Sequence, residues 1–521
     1  MRFFAYAPLI GAAIASPTPL SKRSQTRSFP DDTLERRANV NTARANAVKQ
    51  MFQIGYSGYQ KYAFPMDQLE PVTNQGFNPR NGWGATAVDG LDTAIIMGLN
   101  DIVTRTLNFI PTIDFTKSYQ NQSVSMFETT IRYIGGMLAA YDLLNGPYSS
   151  VFSPKSSQVK ALLSQSIKLA DTIKFGFNTA SGIPYNDLYI NNHSNADGGS
   201  AADLAQVGTL VLEWQRLSDL SGNPKYGQLA QKAESHLLSP KPASSEPFPG
   251  LVGTSLDIKT GLFLDSTGGW VGGDDSFYEY LIKFWVYNSD KYAHYKDRWV
   301  LAADSTIKNL TSHPKPRPDI TFIDAFSGTT LIEESQELAC FDGGNFILGG
   351  LTLKQKKYID YGIALAQGCR NTYQSTATHI GPEEYAWDPT KVPSNQMDFY
   401  NKHGFYITDA VYVLRPEYLE SLYYAYRATG NTTYQDWSWE AIVAINATTR
   451  VGSGYSDIEN VNVKGGGGFL NDQESFLFAE ALKYAYLIQA ADTPINVNYG
   501  GKEAWVFNTE AHPFKVNGTV V

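Results

Sequence analysis

Eight acidic residues stand among aromatics in helix-like parts of the chain: Glu128, Asp274, Asp275, Glu279, Glu417, Glu420, Glu474 and Glu480. Three of them sit where amphipathic runs begin. Glu128 opens "ETTIRYIGGMLAAYDLL", Asp275 opens "DSFYEYLIKFWVY", and Glu417 follows Pro416 in "LRPEYLESLYYAYRATGNTTYQDW". Proline suits the first helical turn, and Glu417 and Glu420, three apart, face one way on a helix. Two readings fit these acids. One is that carboxylates simply complement helix dipoles, with Asp275 an ordinary N-cap. The other is a pair of carboxyls across one glycosidic bond. One gives a proton to the leaving oxygen, and the other takes a proton from water. A gap of about 6.5–9.5 Å leaves room for that water and inverts the reacting carbon. Spacing along the chain does not set that gap, so both readings stand.

Other chemistries find no support. The seven His are scattered, with no HExxH pair and no Cys/His cluster for zinc. There is no GxxxxGK[ST] loop, EF-hand loop or GxSxG elbow, and "VKGGGGF" (463–469) reads as a flexible turn. A net charge of −9 without a Lys/Arg-rich run argues against a nucleic-acid partner.

The elements that must position the acids are helices. Apolar residues recur at three- and four-residue steps in 128–144, 202–220, 275–287, 356–373 and 473–490. Strand-like alternation is short, as in "FLDSTGGWV" (263–271). A helical hairpin recurs in 212–233 and 422–442. Gly222 and Gly430 supply the left-handed residue that ends its first helix, and Pro224 or Thr432 begins the next. Two matches point to a toroid of helix pairs, in which helix ends pointing the same way converge on one mouth. Long Gly/Pro/Asn-rich stretches at 66–90, 186–200, 240–274 and 376–404 read as functional loops. No linker divides the chain after residue 40, so residues 38–521 are expected to be a single domain.

The N-terminus reads as a targeting segment. Arg2, the apolar "FFAYAPLIGAAIA" and Ala13-Ile14-Ala15 fit a signal peptide over 1–15. Residues 16–37 carry the dibasic pairs Lys22-Arg23 and Arg36-Arg37, either a pro-segment or a plain charged tail. No other stretch reaches the length of a membrane span. Sequons begin at Asn121, Asn192, Asn309, Asn431, Asn446 and Asn517, which suits a glycosylated, secreted or secretory-pathway protein. The only two cysteines, Cys340 and Cys369, favour one disulfide in that compartment over two free thiols.

Five blocks in order carry a resemblance: "FETTIRYIGGMLAAYDLL", "DDSFYEYLIKFW", "LRPEYLESLYYAYRATGNTTYQDW", "QESFLFAEALKYAYLI" and "VFNTEAHPF". With "NGWGATAVDGLDTAIIMGL" and "ACFDGGNFILGG" they resemble the class I α-1,2-mannosidases, glycoside hydrolase family 47, and the secreted fungal members above all. The resemblance runs from about residue 45 to 515. It implies an all-α (α/α)7 barrel with long loops and minor β-hairpins. It implies removal of terminal α-1,2-linked mannose from high-mannose N-glycans (Man9 to Man5), with inversion and Ca²⁺, by a chain expected to be a monomer.

Carried over residue by residue, Glu417 is the base, and Glu128 and Asp275 share the roles of acid and third carboxylate in an order left open. Thr509 is the calcium ligand, through its carbonyl and hydroxyl. Glu420, Glu480 and Glu510 hold the ion's waters and, with Arg132, Glu279, Arg415 and Phe476, bind sugar. Taken alone, Thr509 is a surface turn, Arg132 and Arg415 are helix-end ion pairs, and Phe476 is core. The family's disulfide falls on Cys340 and Cys369. One position departs: Glu337 stands where the family block commonly has His. Two other readings remain, a glycan-binding relative without turnover and an (α/α)-toroid glycosidase acting on α-glucans.

Overall fold

An amphipathic helix can bury its apolar stripe only against another element. The computed structural model describes residues 40–196 and 198–521, and within them fourteen helices solve this by pairing into seven hairpins. The expected signal peptide (1–15) and pro-segment (16–37) lie outside the described residues. In chain order the helices are α1 (Thr42–Tyr62), α2 (Leu91–Ile96), α3 (Asn100–Phe109), α4 (Gly135–Leu144), α5 (Ser157–Ile173), α6 (Val211–Ser221) and α7 (Lys225–Leu238). They continue as α8 (Asp275–Tyr287), α9 (Ala293–Asn309), α10 (Asp342–Thr352), α11 (Lys356–Ser375), α12 (Glu417–Thr429), α13 (Thr433–Thr449) and α14 (Leu482–Leu487).

The even-numbered helices are the inner ring. Each packs on the next, from α2 through α4, α6, α8, α10 and α12 to α14. The ring closes where a π-helical turn before α14, Leu477–Ala481, packs on α2. Each outer helix backs the inner helix before it, except that α1 backs α14 and so joins the two ends of the ring. This is the expected toroid.

Gly222 and Gly430 take left-handed conformations (φ 72° and 66°) after α6 and α12, and Pro224 and Thr432 precede α7 and α13. Strands form only two- and three-stranded antiparallel sheets among the described residues. The hairpin Trp505–Phe507/Pro513–Lys515, with Phe507 opposite Pro513, packs its strands on α8 and α4.

Several local readings are corrected. The run 202–220 is broken at Thr209, between a short helix Leu204–Gly208 and α6. Gly208 there lies so close to Phe277 that a Cβ would sit 2.6 Å from the ring. The run 473–490 is helical only over 477–487, its first turn widened to π. Asp274, not Asp275, is the N-cap of α8, and Pro416 caps α12 rather than entering it. The apparent strand 263–271 shrinks to Thr267–Gly268. The long loops 66–90 and 376–404 contain short helices, Ala85–Asp89 and Met397–His403.

Cys340 and Cys369 form a disulfide with a Cα–Cα distance of 5.9 Å, tying the segment before α10 to α11. None of the six sequon asparagines is buried. No helix among the described residues is long and apolar enough to cross a membrane.

Close approach between neighbouring hairpins gives a stability test. Gly349 on α10 faces the buried Trp299 of α9, and an alanine Cβ would lie 2.0 Å from that ring. Gly349→Ala is expected to cost roughly 2 kcal/mol or more through overpacking, read as a lower denaturation midpoint.

Candidate active site

One end of the ring holds a cavity of about 170 Å³. Its wall includes Glu128, Arg132, Asp275, Glu279, Arg415, Glu417, Glu420, Phe476, Glu480, Thr509 and Glu510. All eleven residues singled out for catalysis, sugar or metal therefore meet in one place. Two other acids of the opening set do not line it. Asp274 ties the preceding loop to α8, accepting from Thr254 Oγ1 (3.1 Å) and the Gly269 amide (2.9 Å). Glu474 lies at the side, bonded to Gln68 (2.7 Å).

The inner helices present these groups from their N-terminal turns. Asp275 and Glu417 are the first residues of α8 and α12, with Glu279 and Glu420 a turn further on. Glu128 ends a short turn capped by Ser125, whose Oγ accepts from the Glu128 amide (3.2 Å). Between it and α4 the chain widens into a π-helical turn, Thr129–Ile134, which carries Arg132. Phe476 and Glu480 flank and occupy the second π turn. Such turns often mark functional sites, because they re-aim side chains that a regular helix would stack.

Arg132 is the central cation. Its Nε donates to Glu128 Oε2 (2.6 Å), and its Nη1 bonds Glu510 and reaches Asp89 and Ser475 (3.3 Å each). Phe476 covers the guanidinium at 5.6 Å. Arg80 adds a second contact to Glu128 (3.2 Å). Confinement works against the Glu128 carboxylate, but Arg132 and Arg80 outweigh it and hold its pKa below the usual range.

Asp275 has no such partner. Burial, aided by repulsion from Glu279, lifts its pKa to about 6 against hydrogen bonds from Ser276. Burial likewise lifts Glu420 to about 7, Glu510 to about 8, and Glu480 and Glu417 well above 4.5. Lys283 offsets part of this, bonded to Glu279 and 3.7 Å from Glu420. Arg415 serves Glu383 directly, with Nε 3.0 Å from both carboxylate oxygens, and acts on Glu417 only through its field.

The C-terminal hairpin forms the floor. Asn508 pins its turn, donating to Ile131 O (3.0 Å) and Glu213 (2.7 Å) while its Oδ1 accepts from the Glu510 and His512 amides (2.9 and 2.7 Å). The Thr509 amide donates to Tyr280 Oη (3.2 Å), which itself donates to Glu213 (2.6 Å). Beneath lies fully buried His512, 3.0 Å from Asp92 and 3.3 Å from Asp89, with Lys483 on Asp92 (2.8 Å).

Sequence reasoning missed these supports. Asp89, Asp92, Lys283 and Lys483 lie in helical runs where they look like ordinary charges. The partners that give them away, His512 for Asp89 and Asp92, Asp92 for Lys483 and Glu420 for Lys283, are far off in the chain. A further acidic group, Asp457, Asp472 and Glu474, gathers closely enough to hold a divalent cation. It is not the Thr509 position. It adjoins the cavity through Arg80, which lies 3.6 Å from Glu474 and 3.2 Å from Glu128. Of these three, the sequence pattern singles out only Glu474.

The chain is similar to known proteins over most of its length. Residues 51–516 match the family described as glycosyl hydrolase family 47. The chain is 53% identical over 511 residues to the mannosyl-oligosaccharide α-1,2-mannosidase of Penicillium citrinum, covering 98% of this chain and 97% of that one. It is 53% identical over 491 residues to the mannosyl-oligosaccharide α-1,2-mannosidase of Coccidioides posadasii, covering 94% of each. The solved α-1,2-mannosidase from Trichoderma reesei superposes with a TM-score of 0.90 at 51% identity, over 92% of this chain and 100% of that one.

The His512 cluster yields a pH test of stability. Burial opposes the imidazolium, but Asp92 and Asp89 outweigh it and raise its pKa from 6.5 to about 9. Its contribution is therefore complete below about 6.5 and lost as pH rises through 9. Asp89 and Asp92 are held below 3.8 by His512, Arg132 and Lys483 despite burial, so their part is lost only in acid. Raising pH from 6.5 to 9 should remove up to about 3 kcal/mol, and His512→Gln should flatten that dependence in thermal unfolding.

Proposed function

This chain belongs to glycosyl hydrolase family 47, and from that premise we propose that it is an inverting exo-α-1,2-mannosidase. Its substrate is the terminal mannose of high-mannose N-glycans, and its cation is calcium. The observation that carries the reading is one small cavity walled by Glu128, Asp275, Glu417 and Thr509 together. At about 170 Å³ it falls below the roughly 300–1,000 Å³ of pockets for drug-sized ligands, which suits a single end-on sugar. The leader-like N-terminus and accessible sequons support a protein of the secretory route or the cell exterior.

In the reaction, Glu417 removes a proton from water as the water oxygen bonds to the anomeric carbon. The glycosidic C–O bond breaks on the opposite face, and the leaving oxygen takes a proton from a carboxyl. Asp275 keeps its proton to about pH 6, which suits it to that gift. Glu128, kept ionised by Arg132 and Arg80, orients a water beside the leaving oxygen. The remaining carboxylates and Arg132 grip sugar hydroxyls, and Phe476 offers an apolar face to the ring.

The donor set fits calcium, a hard cation that takes six to eight oxygens. Thr509 would hold it through its carbonyl and hydroxyl, and Glu420, Glu480 and Glu510 would hold its waters. Burial pushes those three carboxyls up in pKa, and nearby acids add to it, Glu279 on Glu420, Glu510 and Glu420 on Glu480, and Asp89 and Glu128 on Glu510, a sign of unbalanced negative charge. Bound there, calcium supplies a positive centre for water and sugar hydroxyls.

The protein should release free mannose from Man9 glycan in calcium, first as the β-anomer by NMR, and release none in EDTA. Glu417→Gln should lower kcat by 10²-fold or more with little change in KM. Glucose release from maltose instead, or glycan binding without any turnover, would replace this reading.

A further inference from the structure

The candidate base does not stand alone. Glu337, fully buried at the start of the segment that leads through Cys340 into α10, faces the first turn of α12, its Oε1 3.4 Å from the amide that follows Glu417, and its carboxyl lies against that of Glu417. Two carboxylates cannot accept from each other, so the contact requires one shared proton. The surroundings decide where that proton sits. Glu337 Oε1 receives the Tyr373 hydroxyl of α11 (2.6 Å) and faces the Tyr418 amide of α12 (3.4 Å). Glu337 Oε2 and Glu417 Oε2 receive no donor from any other group, so the two donors on Glu337 Oε1 are what distinguishes the pair. Donors therefore favour charge on Glu337 and leave the proton on Glu417.

The other charged groups do not reverse this. Arg415 acts on both carboxyls but is bonded to Glu383, whose charge offsets it. Glu480, on the neighbouring π turn, adds repulsion that disfavours an ionised Glu417. From α8, Lys283 acts on Glu420, a turn beyond Glu417 on α12, rather than on Glu417. Tyr412 and Tyr373 face the pair as neutral phenols, since burial raises both.

We propose that Glu337 is a positioning residue for the reaction: by sharing one proton with Glu417 it sets the acidity at which Glu417 becomes free to act as base. This rests on the role of Glu417 proposed above. In the singly protonated pair Glu417 donates to Glu337 and is too weak a base to take a proton from water. Once solvent removes that proton, Glu417 takes the proton of the attacking water, as the base step requires. The pair thus delays the onset of activity toward higher pH. A glutamine at 337 cannot carry the charge, and its amide donates to an ionised Glu417 instead.

The test is kcat/KM for mannose release between pH 5 and pH 7.5 at fixed saturating calcium. The ratio of the two values cancels any uniform loss of activity. Glu337→Gln should raise the pH 5 to pH 7.5 ratio at least tenfold over the parent protein. Tyr373→Phe, which removes the donor that holds charge on Glu337, should shift the ratio the same way by a smaller factor. It also serves should the first variant not fold. An unchanged or lower ratio in folded variants overturns the inference while the enzyme reading stands. Absence of mannose release by the parent protein at every pH overturns the enzyme reading itself.

Discussion

The centre of this ring buries more carboxylate than cation, and most of the structure answers that imbalance. An isolated buried charge is costly, and a pair persists only when geometry and further hydrogen bonds compensate it. Arg132 therefore touches three carboxylates at once, Lys283 sits between Glu279 and Glu420, and Lys483 and His512 share Asp92. Where compensation runs short, the carboxyl pKa rises: Asp275, Glu420, Glu480 and Glu510 all move upward. The same shortage that strains the fold makes the cavity able to hold protons, a cation and sugar hydroxyls.

The toroid is suited to carry this load. Its inner helices bring their N-terminal turns to one end, where helix dipoles favour acids. Two π turns place Arg132 and Glu480 where a straight helix would not. The C-terminal hairpin then closes the floor, and Asn508 links it to both α6, through Glu213, and the first π turn, through Ile131. Losing that last hairpin would take His512 from Asp89 and Asp92, which lie near the other end of the sequence, and leave those buried aspartates with Arg132 and Lys483 as their only cations among the described residues.

Glu337 illustrates how a single position acts on chemistry without touching substrate. It arrives on the strand Glu334–Gln336, which pairs with Glu384–Ala386. The Cys340–Cys369 disulfide then joins the segment to α11, which carries Tyr373. The local fold thus fixes both the acid and the donor that polarises it. Its proximity to Glu417 follows from α10, α11 and α12 packing together.

From sequence alone the helical periods, the paired hairpins with Gly222 and Gly430, and the acids at helix starts could all be read, because each depends on neighbours within a few residues. The block resemblance added the ring, the eleven wall residues and the disulfide. Element edges were less legible: the break at Thr209 falls where Gly208 meets Phe277, and the π turns fall where Arg132 and Glu480 enter the cavity wall, contacts made only in the folded chain. The charge balance was not legible at all. Whether Glu128 stays ionised while Asp275 keeps a proton depends on Arg80 and Arg132 approaching one and not the other. Whether Glu417 is free depends on a carboxyl eighty residues earlier. Local chemistry determined which side chains could react; only long-range packing, which sets burial and neighbouring charge, decided the protonation state in which each is held.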